Sequence, residues 1–439
     1  MDDFLQKIKK MLPKGLFQAL QPIYHYLLAF FGALIYGFPS RKLNVVWVTG
    51  TKGKSSTTEI LNAVLEGAGK KTALSNTIRF KIDKKSRPNK FKMTTPGRFF
   101  LQSFLRQAVS AGCEYAILEM SSEAAKLYRH KFIQANALIF LNISPEHIES
   151  HGGFEKYLKA KLTLAKALSK SPKRPRIIIA NANDPEGQAF LAFNADEKQT
   201  FSLADAEPYL LDPFGLYISY RGRNLRSHLL GTFNIYNILA ALTYASTQGI
   251  SPDEMQKGLD ALTGIPGRVQ KIIVAEENPN AKKQRFDVVV DYAHTADSLE
   301  KFYGVFNDTH KICILGNTGG GRDKWKRPNM AKIANDNCHH IILTNEDPYD
   351  EDPQKILDDM IPGITSTPYE IVMDRREAIH KAIKMAHDLR EGPKHESVAV
   401  VITGKGTDPY IMEANGKKTP WSDAKVAQEE LEKVLAGKK

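Results

Sequence analysis

Lys54 and Ser55 stand directly after a glycine at the end of an apolar run: Asn44-Val-Val-Trp-Val-Thr49 leads into Gly50-Thr-Lys-Gly-Lys-Ser55. Glycines at 50 and 53 let backbone N–H groups approach an anion, Lys54 adds a mobile positive charge, and the Ser55 hydroxyl can reach a magnesium ion. Strand, loop, Lys-Ser and helix in that order are the parts of a nucleotide phosphate cradle. The loop is short, because the common P-loop carries a glycine five residues before its Gly-Lys pair and that place here is Val48. Glu119 ends another apolar run and precedes Met120-Ser121-Ser122. Its carboxylate falls at the carboxyl edge of a sheet, where it can meet a magnesium ion or simply cap the next helix. Asn142-Ile-Ser-Pro-Glu-His147 ends a strand with polar residues, so His147 reads as a metal ligand or as a structural histidine. Lys161, four residues past Tyr157 in a helical stretch, reads on its own as a solvated lysine. Two later loops, Asp291-Tyr-Ala-His294 and Gly316-Asn-Thr-Gly-Gly-Gly-Arg-Asp-Lys324, each follow a strand and are dense in glycine and charge. Folding alone does not require that.

These loops need elements to hold them. From Asn44 onward apolar strand-like runs alternate with amphipathic helical patterns, which predicts stacked βαβ units and a mostly parallel sheet. Val45–Val48, Tyr115–Glu119, Ala137–Asn142 and Ile177–Ala180 are expected strands. Thr200–Arg226 reads as a small antiparallel excursion and Gly231–Gly249 as a buried helix. The alternation begins again at Phe286, with strands at Lys311–Leu315, Ile341–Thr344 and Val398–Ile402. The expected division is an apolar helical segment over 1–40, a central P-loop domain over 41–263 and a Rossmann-like domain over 264–439, with ligands in the cleft between the last two.

Composition bounds the partners. The 61 Lys plus Arg against 49 Asp plus Glu give a net charge of +12, which favours anionic ligands or acidic lipid surfaces. Basic residues are scattered and no nucleic-acid reader motif appears, so nucleic acid is not expected. Cys113, Cys313 and Cys338 lack metal-ligand spacing and read as reduced thiols of a cytoplasmic protein. Leu16–Phe38 is apolar between Lys7, Lys9, Lys10 and Lys14 on one side and Arg41 and Lys42 on the other. Its uninterrupted part, Tyr26–Phe38, is short against the roughly 20 residues of a spanning helix. It reads as a buried or self-associating helix, or as an interfacial helix giving residues 16–38 a peripheral membrane contact.

In order along the chain, these residues resemble the Mur ligases, ATP-dependent amide-forming enzymes of peptidoglycan synthesis, and within them the MurE-like branch. The resemblance implies ATP and Mg2+, with Gly50, Thr51, Gly53, Lys54, Ser55, Ser56, Asn234, Asn237, Arg268, Asp291 and His294 on ATP. Thr94 and Thr95 of Thr94-Thr-Pro96, Ser121 and Arg129 are implied acceptor contacts on a muramoyl peptide. Glu119, His147 and Ser55 are implied magnesium ligands, joined by Lys161, the family's carbamylated lysine. Lys54, Glu119, His147 and Lys161 then form the catalytic set. Arg322, Asp323, Lys324, Glu346, Asp347, Gly404 and Asp408 are implied contacts of the incoming amino acid.

Two departures qualify the likeness. Diaminopimelate-adding members carry Asp-Asn-Pro-Arg where this chain has Glu346-Asp-Pro-Tyr349, and Gly404-Lys-Gly-Thr-Asp408 replaces Gly-Lys-Gly-His-Glu. Loss of the arginine argues against diaminopimelate, and Glu346, Asp347 and Asp408, near one another by analogy with the family, point to a cationic amino acid such as lysine or ornithine. MurE-like enzymes also begin with a uridine-nucleotide-binding domain, for which the segment before Asn44 has no room. Other readings are a Mur-fold ligase acting on a lipid-linked, folylpolyglutamate-like or cyanophycin-like acceptor, and a regulatory ATP-binding subunit.

Overall fold

A computed structural model describes residues 14–144, 152–321, 324–391 and 397–437. The chain forms two compact units: Met1–Leu210 with Tyr217–Ser227 and Thr232–Leu262, and Leu211–Leu216 with His228–Gly231 and Thr263–Lys439.

The first unit is built on eight strands: β1 (Asn44–Thr49), β2 (Thr72–Ser75), β3 (Arg79–Ile82), β4 (Lys85–Pro88), β5 (Tyr115–Glu119), β6 (Ala137–Phe140), β7 (Ile177–Asn181) and β8 (Glu197–Phe201). Their order is β4-β3-β2-β5-β1-β6-β7-β8. Strands β2 and β5 through β8 run parallel with β1, while β3 turns back against β2. Strand β1 lies between β5 and β6, and Val45–Val48 are buried on both faces, which is why the run is continuously apolar. Val48 pairs with Glu119 on one side and Ile139 on the other. That register brings the carboxyl ends of three strands, and the polar loops after them, side by side.

Helices cover this sheet. Lys54–Gly67 crosses Pro252–Ala261 at a glycine pair: a Cβ on Gly67 would lie 2.7 Å from Gly258 Cα, and one on Gly258 would lie 2.5 Å from Val64 Cα. Thr232–Thr247 is buried almost along its length. The N-terminal helix Lys14–Ile35 seats Ala29 and Ala33 in the interior, with Gly32 against Phe99 of the helix Arg98–Ser110. Its other face leaves Ile23, Leu27, Phe31 and Leu34 exposed. Among the described residues no helix is long and apolar enough to cross a membrane.

A three-stranded sheet in the order β11-β10-β9 follows, from β9 (Tyr209–Asp212), β10 (Gly215–Tyr220) and β11 (Arg223–Ser227). It begins later than the sequence pattern indicated, because Glu197–Phe201 extends the large sheet instead.

The second unit holds β12 (Gln270–Lys271), β13 (Asp287–Val290), β14 (His310–Leu315), β15 (His340–Leu343), β16 (Tyr369–Ile371) and β17 (Val398–Ile402), in the order β12-β13-β17-β14-β15-β16. All but the antiparallel edge strand β12 are parallel. The helix Arg375–Glu391 buries Ala378, Ile379, Ala382, Ile383 and Ala386 against this sheet, a three-and-four spacing that places one apolar stripe inward. Strands β18 (Tyr410–Met412) and β19 (Lys418–Pro420) pair antiparallel, and the buried Arg375 grips Asp423 at 2.7 and 2.8 Å. The reading of three reduced thiols is corrected here. Cys313 in β14 and Cys338 after the helix Lys326–Asn337 form a disulfide, and Cys113 alone is free. Sequence spacing gave no sign of that pairing, which the return of the chain from helix to sheet creates.

Candidate active site

The phosphate loop is shaped by its neighbours. Gly53 sits at φ +80°, and a side chain there would collide with Asn237 Oδ1 of the helix Thr232–Thr247. Asn237 also accepts from Thr57 Oγ1 at 3.2 Å and donates to Asn234 at 2.9 Å. Asn237 therefore braces the loop from behind, and Asn234 accepts from Asn237. Asn142, after β6, accepts from the N–H groups of Thr51 and Lys52 at 3.1 and 2.9 Å. Lys54 Nζ donates to Thr51 O at 2.9 Å, curling over the loop.

Glu119 closes one side. Its Oε2 accepts from Ser55 Oγ at 3.0 Å and from Thr77 N and Oγ1 at 2.8 and 3.0 Å, and the side chain is buried. Thr77 Oγ1 also meets Thr94 Oγ1 at 3.1 Å, while Thr95 Oγ1 donates to the Glu119 carbonyl at 2.8 Å and accepts from Ser121 N at 3.2 Å. Ser121 caps the short helix Ser122–Lys126, accepting from Ala124 N, and Arg129 donates to Thr95 O. Burial holds the Arg129 guanidinium below its ordinary range.

Lys161 is not solvated: it is 1% exposed, its Nζ donates to Gly50 O at 2.7 Å, and it lies 4.8 Å from the ring centre of Tyr157. Tyr157 reaches Thr51 Oγ1 at 3.1 Å. Thr51, Lys54, Thr94, Thr95, Ser121, Arg129 and Lys161 all line one cavity of about 340 Å³. Ser55, Thr77 and Glu119 offer hard oxygen donors beside it, a set that suits Mg2+, and the glycine turn admits a phosphate where any Cβ would intrude. Among the described residues no group of three or more His, Cys, Asp and Glu side chains could hold a metal. His147 lies outside the described residues, as do Arg322 and Asp323.

In the second unit, Asp291 accepts from Val269 N and Ala293 N, both at 2.7 Å. Val269 is held at φ +46°, so Asp291 fixes the turn that presents Arg268. The Arg268 guanidinium stacks 4.5 Å from the Tyr292 ring, and His294 Nδ1 meets Tyr292 O at 2.7 Å. Glu346 accepts from Thr318 Oγ1 at 2.9 Å, while its buried Oε2 has no partner. Burial first, then Asp347, push the Glu346 carboxyl above its ordinary range. Gly404 leaves room for it, since a Cβ there would lie 2.7 Å from Glu346 Cδ. Lys405, fully buried, binds Asp347 at 2.7 Å and stands 3.7 Å from Asp408. Lys324 pairs with Glu351 at 3.4 Å, a carboxylate that also binds the buried Arg327.

Sequence reading missed Thr77, Asn142 as a loop brace, and Lys405. Thr77 belongs to no motif; it is found only once β2 is placed beside β5. Lys405 lay in plain view inside Gly404-Lys-Gly406, and only its burial between two acids shows what it does.

Known proteins resemble this chain. The Mur ligase middle domain matches residues 48–245 and the Mur ligase glutamate ligase domain matches 278–406. A protein of Syntrophomonas wolfei named UDP-N-acetylmuramoyl-L-alanyl-D-glutamate--2,6-diaminopimelate ligase is 34% identical over 421 residues, covering 92% of this chain and 81% of the relative. The like-named protein of Bacillus cereus is 32% identical over 436 residues, covering 96% and 83%. A solved structure of an enzyme with that name is 27% identical with a TM-score of 0.58, covering 89% of this chain and 78% of its own. Folylpolyglutamate synthase of Mycobacterium tuberculosis complexed with ADP, at 15% identity, shares the fold with a TM-score of 0.68 over 87% and 92%. The chain belongs to the Mur ligase family, the ATP-dependent, ADP-forming amide ligases, whose members use magnesium.

Proposed function

We propose that this ligase joins the carboxylate of a muramoyl-peptide acceptor to an amino acid, with 41–263 as the ATP-binding domain, 264–439 as the amino-acid-adding domain and 1–40 as an apolar helical segment. One observation carries the reading: Lys54 and Thr51 of the phosphate loop share a single cavity with Thr94, Thr95, Ser121 and Arg129. In it the loop N–H groups and Lys54 hold the triphosphate. Ser55, Glu119, His147 and a carbamate on Lys161 would hold a magnesium ion, which would supply neutralisation of charge on the phosphates when bound. Arg129, Thr95 and Ser121 orient the acceptor so that a carboxylate oxygen attacks the γ-phosphorus. The bond to the β-phosphate oxygen breaks, leaving ADP and an acyl phosphate. The amine nitrogen then attacks the acyl carbon, the carbon–oxygen bond to phosphate breaks, and the amine proton passes to a nearby base.

Burial of Lys161 beside Gly50 O supports a carbamate on its Nζ, which converts a buried cation into an anionic oxygen ligand. Labelled bicarbonate should give a protein-bound carbamate carbon signal that Lys161→Ala removes; its persistence in the variant sinks the assignment. For the amino acid, Glu346 is the acid that favours an incoming ammonium, since Lys405 offsets Asp347. Tyr349 in place of the family arginine favours lysine or ornithine over the diaminopimelate named in the relatives. The exposed apolar stripe of Lys14–Ile35, between basic flanks, supports a peripheral contact with the inner lipid surface. ADP release with uridine-linked and lipid-linked muramoyl dipeptides, against lysine, ornithine and diaminopimelate, tests the whole reading. Lys54→Ala should abolish it with the melting temperature unchanged, and turnover retained in that variant overturns the assignment.

A further inference from the structure

The antiparallel edge of the large sheet carries charge that the reaction steps leave unused. Arg79-Phe-Lys-Ile-Asp-Lys-Lys-Ser-Arg-Pro-Asn-Lys-Phe-Lys92, which spans β3 and β4 and runs on to Thr94, holds seven basic residues and one acid. Arg79 and Lys81 are paired with Glu59 and Glu66 of the helix Lys54–Gly67. Lys84, Lys85, Arg87 and Lys90 are exposed and, among the described residues, have no ion-pair partner. Lysines on an edge strand are enough to keep it from pairing with another sheet, so the charge alone points to no partner. The apolar side chains beside it do. Phe91, Met93 and Phe99 are 49%, 40% and 38% exposed, and clustered apolar residues with a polar rim mark an interaction surface.

The patch is tied down on the hairpin. Asn89, itself buried, donates to Asn76 O at 2.8 Å and Met93 O at 3.0 Å and accepts from Phe91 N at 3.0 Å. Phe91 packs 5.8 and 5.0 Å from the rings of Phe80 and Phe100, and the Arg87 guanidinium lies 5.6 and 5.7 Å from the same two rings. The two ends of the patch fix its place in the unit. Met93 lines the cavity that also holds Lys54, Thr94 and Arg129. Phe99 meets the N-terminal helix, where a Cβ on Gly32 would stand 3.6 Å from its ring. The patch thus runs from the edge of the cavity to the helix that carries the exposed stripe.

Its occupant must offer many anionic groups to the lysines and an apolar layer to the side chains between them. A bilayer with anionic headgroups offers both. A nucleic-acid strand offers phosphates and bases to stack, but Met93 has no ring for a base and Phe91 is already packed against two rings. We propose that the β3–β4 hairpin, with Phe91, Met93 and Phe99, docks on an anionic bilayer as a second contact beside the N-terminal helix and sets the edge of the cavity at the lipid surface. On the reading of the cavity as the acceptor site, on which this consequence rests, the acceptor is one whose carrier stays in that surface, a lipid-linked one.

The test uses the full chain, a triple variant Lys84→Gln, Lys85→Gln, Lys90→Gln, and Phe91→Trp. Each basic residue near an anionic surface strengthens partitioning about fivefold, so the triple variant should bind vesicles containing phosphatidylglycerol roughly tenfold or more weakly than the parent at about 0.1 M salt. Its melting temperature and its ADP release with a soluble uridine-linked acceptor should not change. With a lipid-linked acceptor in those vesicles its KM should rise roughly tenfold at unchanged kcat. In Phe91→Trp, brominated lipids should quench emission beyond the quenching of the parent's own tryptophans. A smaller loss of vesicle binding, an unchanged KM for the lipid-linked acceptor, no added quenching, or binding of a short single-stranded RNA in place of vesicles overturns the proposal. Binding lost in Leu27→Glu with Phe31→Glu but kept in the triple variant also overturns it and leaves the contact on the helix; the reverse leaves the hairpin as the contact. Vesicle binding that falls as expected, with no turnover of any acceptor, leaves the docking surface standing and removes the ligase reading of the cavity.

Discussion

Gly53 and His130 show how single residues in the first unit are fixed by what surrounds them. At φ +80° and with Asn237 Cγ 3.2 Å from where a Cβ would stand, Gly53 has neither the backbone freedom nor the space for alanine. Gly53→Ala should therefore cost about 1–2 kcal/mol from the left-handed backbone alone. By displacing Asn237 it should also weaken ATP binding, seen as a raised KM for ATP in an ADP-release assay. Wild-type KM and melting temperature would refute this. His130 is 1% exposed, edge-on to Trp47 at 6.2 Å, and neither ring nitrogen has a partner. Burial, then Lys131, hold its pKa at about 4 against an ordinary 6.5. The unfolded chain thus takes up a proton that the folded chain refuses. Stability is intact above about pH 6.5 and declines as pH falls to about 4, by roughly 3 kcal/mol in all. His25 adds a smaller contribution of the same sign because it is more exposed. Urea unfolding at pH 7, 5 and 4 should show this loss, and His130→Phe should reduce it; an equal acid sensitivity in the variant would count against a neutral buried imidazole.

Among elements, Lys54–Gly67 and Pro252–Ala261 cross in the first unit with their backbones in close approach. Because Gly67 and Gly258 let the two backbones touch, Gly258→Ala must push the helices apart, and since Lys54 and Ser55 begin one of them, the phosphate loop moves too. A loss of at least about 2 kcal/mol in urea unfolding is expected, from overpacking; a shift under half of that would mean the crossing yields freely. The disulfide is the corresponding tie in the second unit, closing 25 residues between β14 and the end of Lys326–Asn337. Reduction should cost about 3 kcal/mol by chain entropy, read as a fall in melting temperature with dithiothreitol that Cys338→Ser reproduces. These two ties also mark the limit of sequence reading. Strand β1, its loop and its helix were legible because Lys54-Ser55 follow an apolar run, and Glu119 because it ends one. Thr77 and the Cys313–Cys338 pair were not, since each acquires its meaning from a neighbour that only sheet order supplies. Lys161 entered the expected site through resemblance alone; its helical spacing argued for solvent, and its burial beside Tyr157 and Gly50 overrode that.

At the scale of the whole molecule, charge and the N-terminal helix act together. The net +12 and the cluster Lys7, Lys9, Lys10 and Lys14, with Arg41 and Lys42 at the other end, flank a stripe in which Ile23, Leu27, Phe31 and Leu34 recur every third or fourth residue. Each is 45% exposed or more, while Ala29 and Ala33 on the opposite face are buried, so the stripe is available without unfolding the helix from its seat. A basic residue near an anionic lipid surface contributes about 1 kcal/mol, falling off within a Debye length of about 8 Å at physiological salt. On the proposed lipid contact, the flanks supply attraction and the stripe supplies insertion, and both are required. Co-sedimentation should be strong with vesicles containing phosphatidylglycerol, weak with phosphatidylcholine alone, and should collapse as salt rises from about 0.05 to about 0.5 M. Leu27→Glu with Phe31→Glu should abolish it at every salt concentration while leaving ADP release with a soluble acceptor unchanged. Equal binding to neutral vesicles would show that charge is not the attraction. If the double variant instead converts a dimer to a monomer and leaves vesicle binding intact, the stripe is a contact between copies of this chain.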